Sequence, residues 1–353
     1  MRILFLVPFS HAFMAYPIYK WSRQLAASGL RFSVRRSLPK NLERFDSVVL
    51  TSAFCSHQSK CEQHRKGEKA RTTLDFVRTN IDLFRRNGMR VLFFDSRDGN
   101  PSNYFAILPE VDVFLKKQYL KDKVFYTTDE YASTPSTWLG GDKSKKLAKA
   151  RLDQLDKIRL AWNIGYEDFG GFRPAGKIAQ LLGITFNAQA KAPRAYRPIL
   201  TSFRGSFGGS RRGHRAQLVQ KFDEMNLPGI KMGPRLRRRA YLEELSRCTM
   251  SVSPFGFGEP CYRDFESILQ GATLVKPSMD HLVTFPDVYK AWETYVPVKW
   301  DFRDLPEQIM VLQKDEELRI RIAETAQEKY LRYLREPEEF IAQAKRIFGS
   351  SSS

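Results

Sequence analysis

Six short apolar runs separated by helical periodicity constrain this chain more than any other feature. Arg2–Phe9, Ser47–Thr51, Arg90–Phe94, Ile199–Phe203, Thr249–Ser253 and Thr273–Lys276 are too short for stable helices and rich in β-branched and aromatic residues. Runs that stay apolar at successive positions suit strands buried on both faces, which is the habit of parallel sheets. The stretches between them read as helices. Pro17–Ser28 is stopped by Gly29, and Thr73–Arg86 carries Leu74, Val77, Ile81 and Phe84 at helical spacing before Asn87-Gly88. With a further strand at Arg31–Arg35, the order strand, helix, strand predicts parallel sheets joined by crossover helices.

The middle of the chain is less regular. Gln58–Ala70 reads as a polar surface loop or helix start, Val111–Leu115 and Lys123–Tyr126 as short strands, Ser133–Gly141 as a loop and Lys143–Lys157 as a charged helix. Pro193–Pro198 reads as a linker, after which the pattern restarts: a strand at Ile199–Phe203, a glycine-rich loop at Gly205–Gly213, helix His214–Met225, a short strand at Ile230 and a helix near Arg239–Arg247. Glu316–Ile347 is mostly helical, with a break near Pro337, and no fixed-period repeat is present. The expected fold class is α/β, with two Rossmann-like domains at 1–192 and 193–332 facing each other across a cleft.

Composition bears on partners. The chain has 353 residues with 58 Lys and Arg against 39 Asp and Glu, a formal charge of +19. Such an excess favours phosphates, nucleic acid or an anionic membrane surface. Dense clusters stand at Arg235–Arg239, Arg35-Arg36, Lys116-Lys117 and Lys143–Lys146. Four cysteines in this length do not make a disulfide framework, so a reducing cytoplasm is expected. The N-terminus, broken by Pro8, His11 and Pro17, lacks the pattern of a signal peptide, and no run of about 18 apolar residues exists.

Cys248–Pro277 is the most informative segment. It reads as a strand, a loop holding Gly256, Gly258 and Glu259, a helix, and a second strand. Ligands in open α/β sheets bind beyond the carboxyl ends of strands. The glycines allow close backbone approach, and a helix N-terminus offers free N–H groups to phosphate. Arg263 can add a forked phosphate contact. Glu266, three residues on and on the same helix face, can accept from ribose hydroxyls.

The run P-x-G-x-G-E-x-x-x-R-x-x-E-x-x-x-x-G-A-x-L-V-x-P, which ends at Pro277, resembles the donor-sugar segment of GT-B glycosyltransferases, in particular exostosin-like and bacterial capsule or lipopolysaccharide enzymes. The resemblance implies that Arg263 and Glu266 hold the diphosphate and ribose of a nucleotide-sugar. It also implies that a C-terminal helix, 333–348, packs back on the first domain, leaving 349–353 as a tail. FDSRDG, DVFLKKQYL and AWNIGYEDF are weaker points of similarity, and no H-x7-E or E-x7-E pattern is found. The family usually needs no bound metal, so no metal and no cofactor are expected beyond the nucleotide-sugar as co-substrate.

Other residues add to this reading. Arg204, Arg211 and Arg212 flank the glycine-rich loop after the first strand of the second domain, where arginines and loop N–H groups can wrap a diphosphate. Asp95 and Asp98 follow the Arg90–Phe94 strand and are candidates for the base that deprotonates an acceptor hydroxyl, as is His11 after the first strand. Cys55, His57, Cys61 and His64 are potential zinc ligands, but their spacing is not that of a zinc finger. The expected activity is transfer of a sugar to an anionic or lipid-linked glycan in surface polysaccharide synthesis, with possible peripheral membrane contact. A glycosyltransferase acting on bases of duplex DNA is the alternative. A non-catalytic nucleic-acid-binding protein is the third reading, although no helix-turn-helix, zinc-finger or RNP signature supports it.

Overall fold

The computed structural model describes residues 1–66, 73–100, 102–128, 148–166, 189–205 and 212–349, side chains excepted at 62–66 and 212. The Ser133–Gly141 loop, Arg211 and the greater part of the Gly205–Gly213 loop lie outside these residues. The chain divides into two compact units, one made of Met1–Tyr131, Lys146–Asn187 and Glu336–Ser353, the other of Ala132–Lys145 and Ala188–Arg335.

The first unit is built on a sheet of six strands, β1 (Arg2–Leu6), β2 (Arg31–Arg35), β3 (Ser47–Thr51), β4 (Arg90–Asp95), β5 (Val113–Lys116) and, after a separate β6 (Gln118–Leu120), β7 (Ile158–Leu160). All pairings are parallel, and the spatial order is β2-β1-β3-β4-β5-β7. β3 and β5 are buried at every position, as apolar runs in a two-sided sheet must be. Helices α1 (Tyr16–Lys20), α2 (Ser22–Ala27), α3 (Ser52–Lys66) and α4 (Thr73–Arg86) make the connections. In α4 the stripe Phe76, Val77, Asn80, Ile81 and Phe84 is buried, and Asp75 near the start with Arg85 and Arg86 at the end suits the helix dipole. The C-terminal helix Glu338–Phe348 belongs to this unit. Phe340 packs edge-on against Trp162, Phe348 against Phe32, and the Gln343 amide donates to the Leu160 carbonyl at 2.6 Å.

Three sequence expectations need correction here. Ser52–Lys66 is helical where a polar loop or helix start was expected from Gln58, because Phe54, Cys55 and Ser59 turn inward and give the stretch a buried face. Lys123–Thr127 is a 3-10 turn, not a strand: Asp122 caps it by accepting from the Val124 N–H at 2.9 Å, and Val124 and Phe125 stay exposed. Within Lys143–Lys157 the described residues hold only a short turn, Leu152–Lys157, tied down by the Lys157 ammonium donating to the carbonyls of Leu108, Pro109 and Val111.

The second unit contains β8 (Thr201–Arg204), β9 (Ile230–Gly233), β10 (Met250–Val252), β11 (Thr273–Pro277), β12 (Leu282–Thr284) and β13 (Val296–Val298). Two parallel ladders, β8-β9 and β10-β11-β13, are joined where the Thr249 and Met250 N–H groups donate to Ile199 and Leu200. The resulting order is β9-β8-β10-β11-β13. Helices α5 (Arg212–Met225), α6 (Arg238–Leu245), α7 (Tyr262–Leu269), α8 (Leu305–Lys314) and α9 (Glu316–Arg335) accompany it. Phe203, Leu218, Phe222, Met250, Val252, Val275, Phe302 and Ile309 share one core. Each such side chain stabilises the fold by roughly 1.5–3 kcal/mol on burial.

Pro193–Pro198 is not a free linker. Arg197 is buried and donates to the carbonyls of Ala192, Cys248 and Gln270. Gly271 explains its place in the Gly-Ala pair after α7: its φ is +69°, and a Cβ there would stand 2.5 Å from the Lys191 carbonyl.

Candidate functional site

In sequence order the strands of the second unit run 2-1-3-4-5 across the sheet, so the winding reverses between β8 and β10. In open α/β sheets that reversal opens a crevice beyond the strand ends, where ligands bind. The residues at this point are Arg204-Gly205 after β8, the loop Ser253–Pro260 after β10, and the start of α7.

The first turn of α7 is rigidly held. The Asp264 carboxylate accepts from the Cys261 N–H at 2.8 Å, from Ser253 Oγ at 2.5 Å and from the Tyr289 hydroxyl at 2.7 Å, and Lys276 Nζ lies 3.1 Å away. Asp264, Lys276, Ser253 and Tyr289 are all buried, so this cluster ties the helix start to β10 and β11. Cys261, half-buried just before the helix, has its thiol pushed up to about 11 by desolvation, which leaves it unreactive.

From this turn Arg263 reaches to β8. Its Nη2 donates to the Arg204 carbonyl at 2.7 Å, and its guanidinium lies 4.8 Å from the Phe203 ring centre and 5.7 Å from that of Tyr241. Its Nη1 is buried and makes no hydrogen bond among the described residues. One turn on, Glu266 accepts from Arg238 Nη1 at 2.7 Å. Phe257 in the loop is 59% exposed, and Tyr262 at the helix start is also exposed.

The structure revises the other candidates in this unit. Arg204, expected on a diphosphate, is held by Glu244 in a two-pronged bond of 2.8 and 2.6 Å and donates also to the Met232 carbonyl. Glu259 is fully buried, so the loop presents its backbone at Gly256, Phe257 and Gly258 rather than that carboxylate. Gly256 is tightly placed, a Cβ there falling 3.2 Å from Cys261 Sγ. Arg211 lies outside the described residues.

His214, which sequence reading passed over, fixes the loop. Its Nδ1 accepts from the Phe255 N–H at 3.0 Å, its Nε2 donates to the Trp300 carbonyl at 2.7 Å, and its ring stacks on Phe302. Burial pushes its pKa down to about 3, the Trp300 carbonyl acting weakly the other way, so it is a neutral brace and not a proton carrier. A single histidine after a glycine-rich loop carries no pattern that would have revealed this.

In the first unit the two aspartates part company. Asp95 is buried at the end of β4 with Lys116 Nζ at 3.3 Å and Arg97 Nε at 3.0 Å. Burial alone would raise its pKa, but Lys116 and Arg97 outweigh it and hold the carboxyl well below the usual range. A carboxylate so bound is a poor proton acceptor, and Asp95 is a structural anchor rather than a base. Asp98 pairs with Lys117 at 3.0 Å, and its side chain is 51% exposed. His11 stands in a 3-10 segment, Phe9–Ala15, directly after β1, at the corresponding winding reversal between β1 and β3. Its Nδ1 lies 2.9 Å from Ser10 Oγ.

Among the described side chains the cysteine and histidine set does not gather into a metal site. α3 buries Cys55, and burial drives its thiol pKa far up, while Cys61 Sγ and His57 Nδ1 are 3.9 Å apart on the next turn. The His64 side chain lies outside the described residues. Among the described residues no three His, Cys, Asp or Glu side chains are grouped to hold a metal ion, and no helix is long and apolar enough to cross a membrane.

No family model and no curated protein matches the chain. Among solved structures it is similar to an alpha-glucosyltransferase in complex with UDP-glucose and DNA containing an abasic site, at 9% identity over 98% of each chain and a TM-score of 0.42. It is similar also to a glycosyltransferase from Rickettsia africae ESF-5, at 10% identity over 99% of each chain and a TM-score of 0.45. A third is the T4 phage beta-glucosyltransferase, at 9% identity over 99% of this chain and 100% of the other, with a TM-score of 0.44.

Proposed function

We propose that the chain is a nucleotide-sugar-dependent glycosyltransferase whose donor binds at the β8–β10 reversal of the second unit. One observation carries this reading. Arg263 is held by the Arg204 carbonyl and lies over the Phe203 and Tyr241 rings, yet among the described residues its buried Nη1 has no hydrogen-bond partner, one turn before an acidic residue on the same helix. A buried cationic donor without a partner is costly and calls for a ligand oxygen. A diphosphate oxygen meets that need, the α7 N-terminus and the Gly256–Gly258 backbone add N–H groups, and Glu266 suits a ribose diol. Phe257, on the exposed surface of the loop, can stack on a nucleobase.

The chemistry follows from these parts. The acceptor oxygen forms a bond to the anomeric carbon, the bond from that carbon to the β-phosphate oxygen breaks, and the acceptor proton passes to a base. Asp98 and His11 are the candidates for the base. Arg263 and the helix N-terminus offset the charge that grows on the departing nucleoside diphosphate. The acceptor in this reading is an anionic or lipid-linked glycan, the net charge of +19 serving to attract it. The same charge favours a second reading, duplex DNA as acceptor, in which binding falls steeply with salt.

The test is turnover. The full chain, incubated with UDP-, GDP- or ADP-hexoses and either a lipid-linked anionic glycan or duplex DNA, should release nucleoside diphosphate in step with labelled product. Absence of release with every donor and both acceptors counts against the reading. Salt-sensitive duplex binding without any donor turnover would move it to a non-catalytic nucleic-acid-binding protein.

A further inference from the structure

The first 42 residues hold seven Lys and Arg and no Asp or Glu. They form β1, β2, α1 and α2, and β2 is an edge strand of the first unit's sheet. Three of the seven gather where β1 and β2 end. Arg35 closes β2, Arg36 follows it, Lys40 stands four residues further on, and all three are exposed. Among the described residues none of the three makes an ion pair with a carboxylate. Unbalanced like charge repels itself and works against the compact state, so the fold gains nothing from this cluster, whereas an anionic partner would.

Two apolar side chains share the same place. Phe9, three residues past β1, is 42% exposed, and Leu38 is 38% exposed. The strands are parallel, and the Val7 N–H donates to the Arg35 carbonyl at 3.0 Å, so both chain segments leave the sheet side by side. The Arg36 guanidinium lies 5.0 Å from the Phe9 ring centre, and the Arg36 carbonyl accepts from Gln58 Nε2 of α3 at 3.2 Å. We infer that this surface, made of Phe9, Arg35, Arg36, Leu38 and Lys40, docks the chain on an anionic lipid bilayer.

A bilayer is the partner that uses both halves of the surface. Lipid phosphates meet the guanidinium and ammonium groups, and the boundary between headgroups and acyl chains takes the aromatic and the aliphatic side chain. A nucleic-acid backbone offers the phosphates but no apolar layer for Leu38. The attachment is peripheral and reversible, since only two partly exposed apolar side chains take part. His11 stands two residues after Phe9, at the same end of the sheet. A bilayer docked here therefore brings a lipid-linked acceptor beside a candidate base. That consequence rests on the glycosyltransferase reading above; the docking itself does not.

The experiment is co-sedimentation of the full chain, without any nucleotide-sugar, with vesicles of phosphatidylcholine alone and of phosphatidylcholine mixed with phosphatidylglycerol, at low and high salt. The chain should pellet with the mixed vesicles at low salt and stay in solution with phosphatidylcholine alone. Arg35→Gln combined with Lys40→Gln should weaken binding to the mixed vesicles by about ten- to thirty-fold, the effect of two basic groups near an anionic surface. Arg35→Lys combined with Lys40→Arg keeps the charge and should bind like the wild type. Leu38→Ser should weaken vesicle binding by about two- to five-fold and leave binding to duplex DNA unchanged. These side chains are exposed, so the variants should melt with the wild type. Equal binding to both kinds of vesicle, or undiminished binding of the glutamine variant to the mixed vesicles, would overturn the inference. Duplex binding that the glutamine variant loses, with no sedimentation of the wild type, would make the surface a nucleic-acid contact and overturn it too. None of these results bears on the donor site, because no donor is present.

Discussion

Arg263 Nη2 hydrogen-bonds the main-chain oxygen of Arg204 at 2.7 Å, so the first turn of α7 and the end of β8 are joined through one guanidinium. The link is directional. It leaves Nη1 on the same group buried and, among the described residues, without a hydrogen bond, on a helix that starts beside the winding reversal of a doubly wound sheet.

Arg263→Lys separates charge from geometry. A lysine keeps the positive charge but cannot bridge the Arg204 carbonyl and a ligand oxygen together. Nucleoside diphosphate affinity should fall at least about ten-fold, the value of one lost charge-assisted hydrogen bond of 1.5–3 kcal/mol. Titration of the variant beside the wild type measures it, and unchanged affinity would place the phosphates elsewhere.

Asp95 and Asp98 should respond in opposite ways to amidation. Asp95→Asn leaves Lys116 charged and buried without its counter-ion and should cost about 3–5 kcal/mol of stability in denaturant unfolding. Asp98→Asn, half-exposed but paired with the buried Lys117, should cost distinctly less than Asp95→Asn in the same measurement. If Asp98 is the base, this second variant should transfer sugar 10²- to 10⁴-fold more slowly. Equal stability losses in both variants would contradict the division of roles.

Glu244 gives the second unit a recognisable acid response. Arg204 donates to it and holds its pKa below the ordinary 4.5, with burial acting the other way. The unfolded chain therefore binds that proton at higher pH than the folded chain. The pair's contribution is complete above pH 4.5 and is lost as pH falls through the lower folded value. Glu244→Gln should be less stable at neutral pH by about 1–3 kcal/mol and should show a flatter decline on acidification, seen by thermal melts from pH 7 downward.

Phe257→Ala should weaken nucleotide binding by about 1–3 kcal/mol if the exposed ring stacks on the base, with a smaller effect on folding stability, since the side chain is largely exposed. Gly271→Ala should show the reverse. Its φ of +69° and the nearby Lys191 carbonyl make any side chain strained, so stability should drop by about 1–3 kcal/mol. Calorimetry and melting together distinguish the two effects.

Most of the fold was legible because the strands are apolar at successive positions: β1, β3, β4, β8, β10 and β11 all lie where short β-branched or aromatic runs stand in the chain. The failures share a cause. Ser52–Lys66 hides its buried face behind polar residues, and Lys123–Thr127 was decided by the Asp122 cap rather than by its apolar content. For the site, spacing put Arg263 and Glu266 on one helix face but could not show their partners. That Arg204 is spent on Glu244, that Asp95 is spent on Lys116 and Arg97, and that His214 braces the Phe255 backbone are all long-range pairings. No local pattern encodes them.

The most direct test is calorimetric titration of the full chain and of Arg263→Ala with UDP, GDP and ADP, followed by melting at ligand near 100 times Kd. At least one nucleoside diphosphate should bind the wild type and stabilise it by about 2.7 kcal/mol under those conditions, raising the melting temperature by several degrees. Arg263→Ala should fold and show neither heat nor shift. Failure of all three to bind the wild type, or the same binding and shift in Arg263→Ala, would contradict the assignment of the donor site.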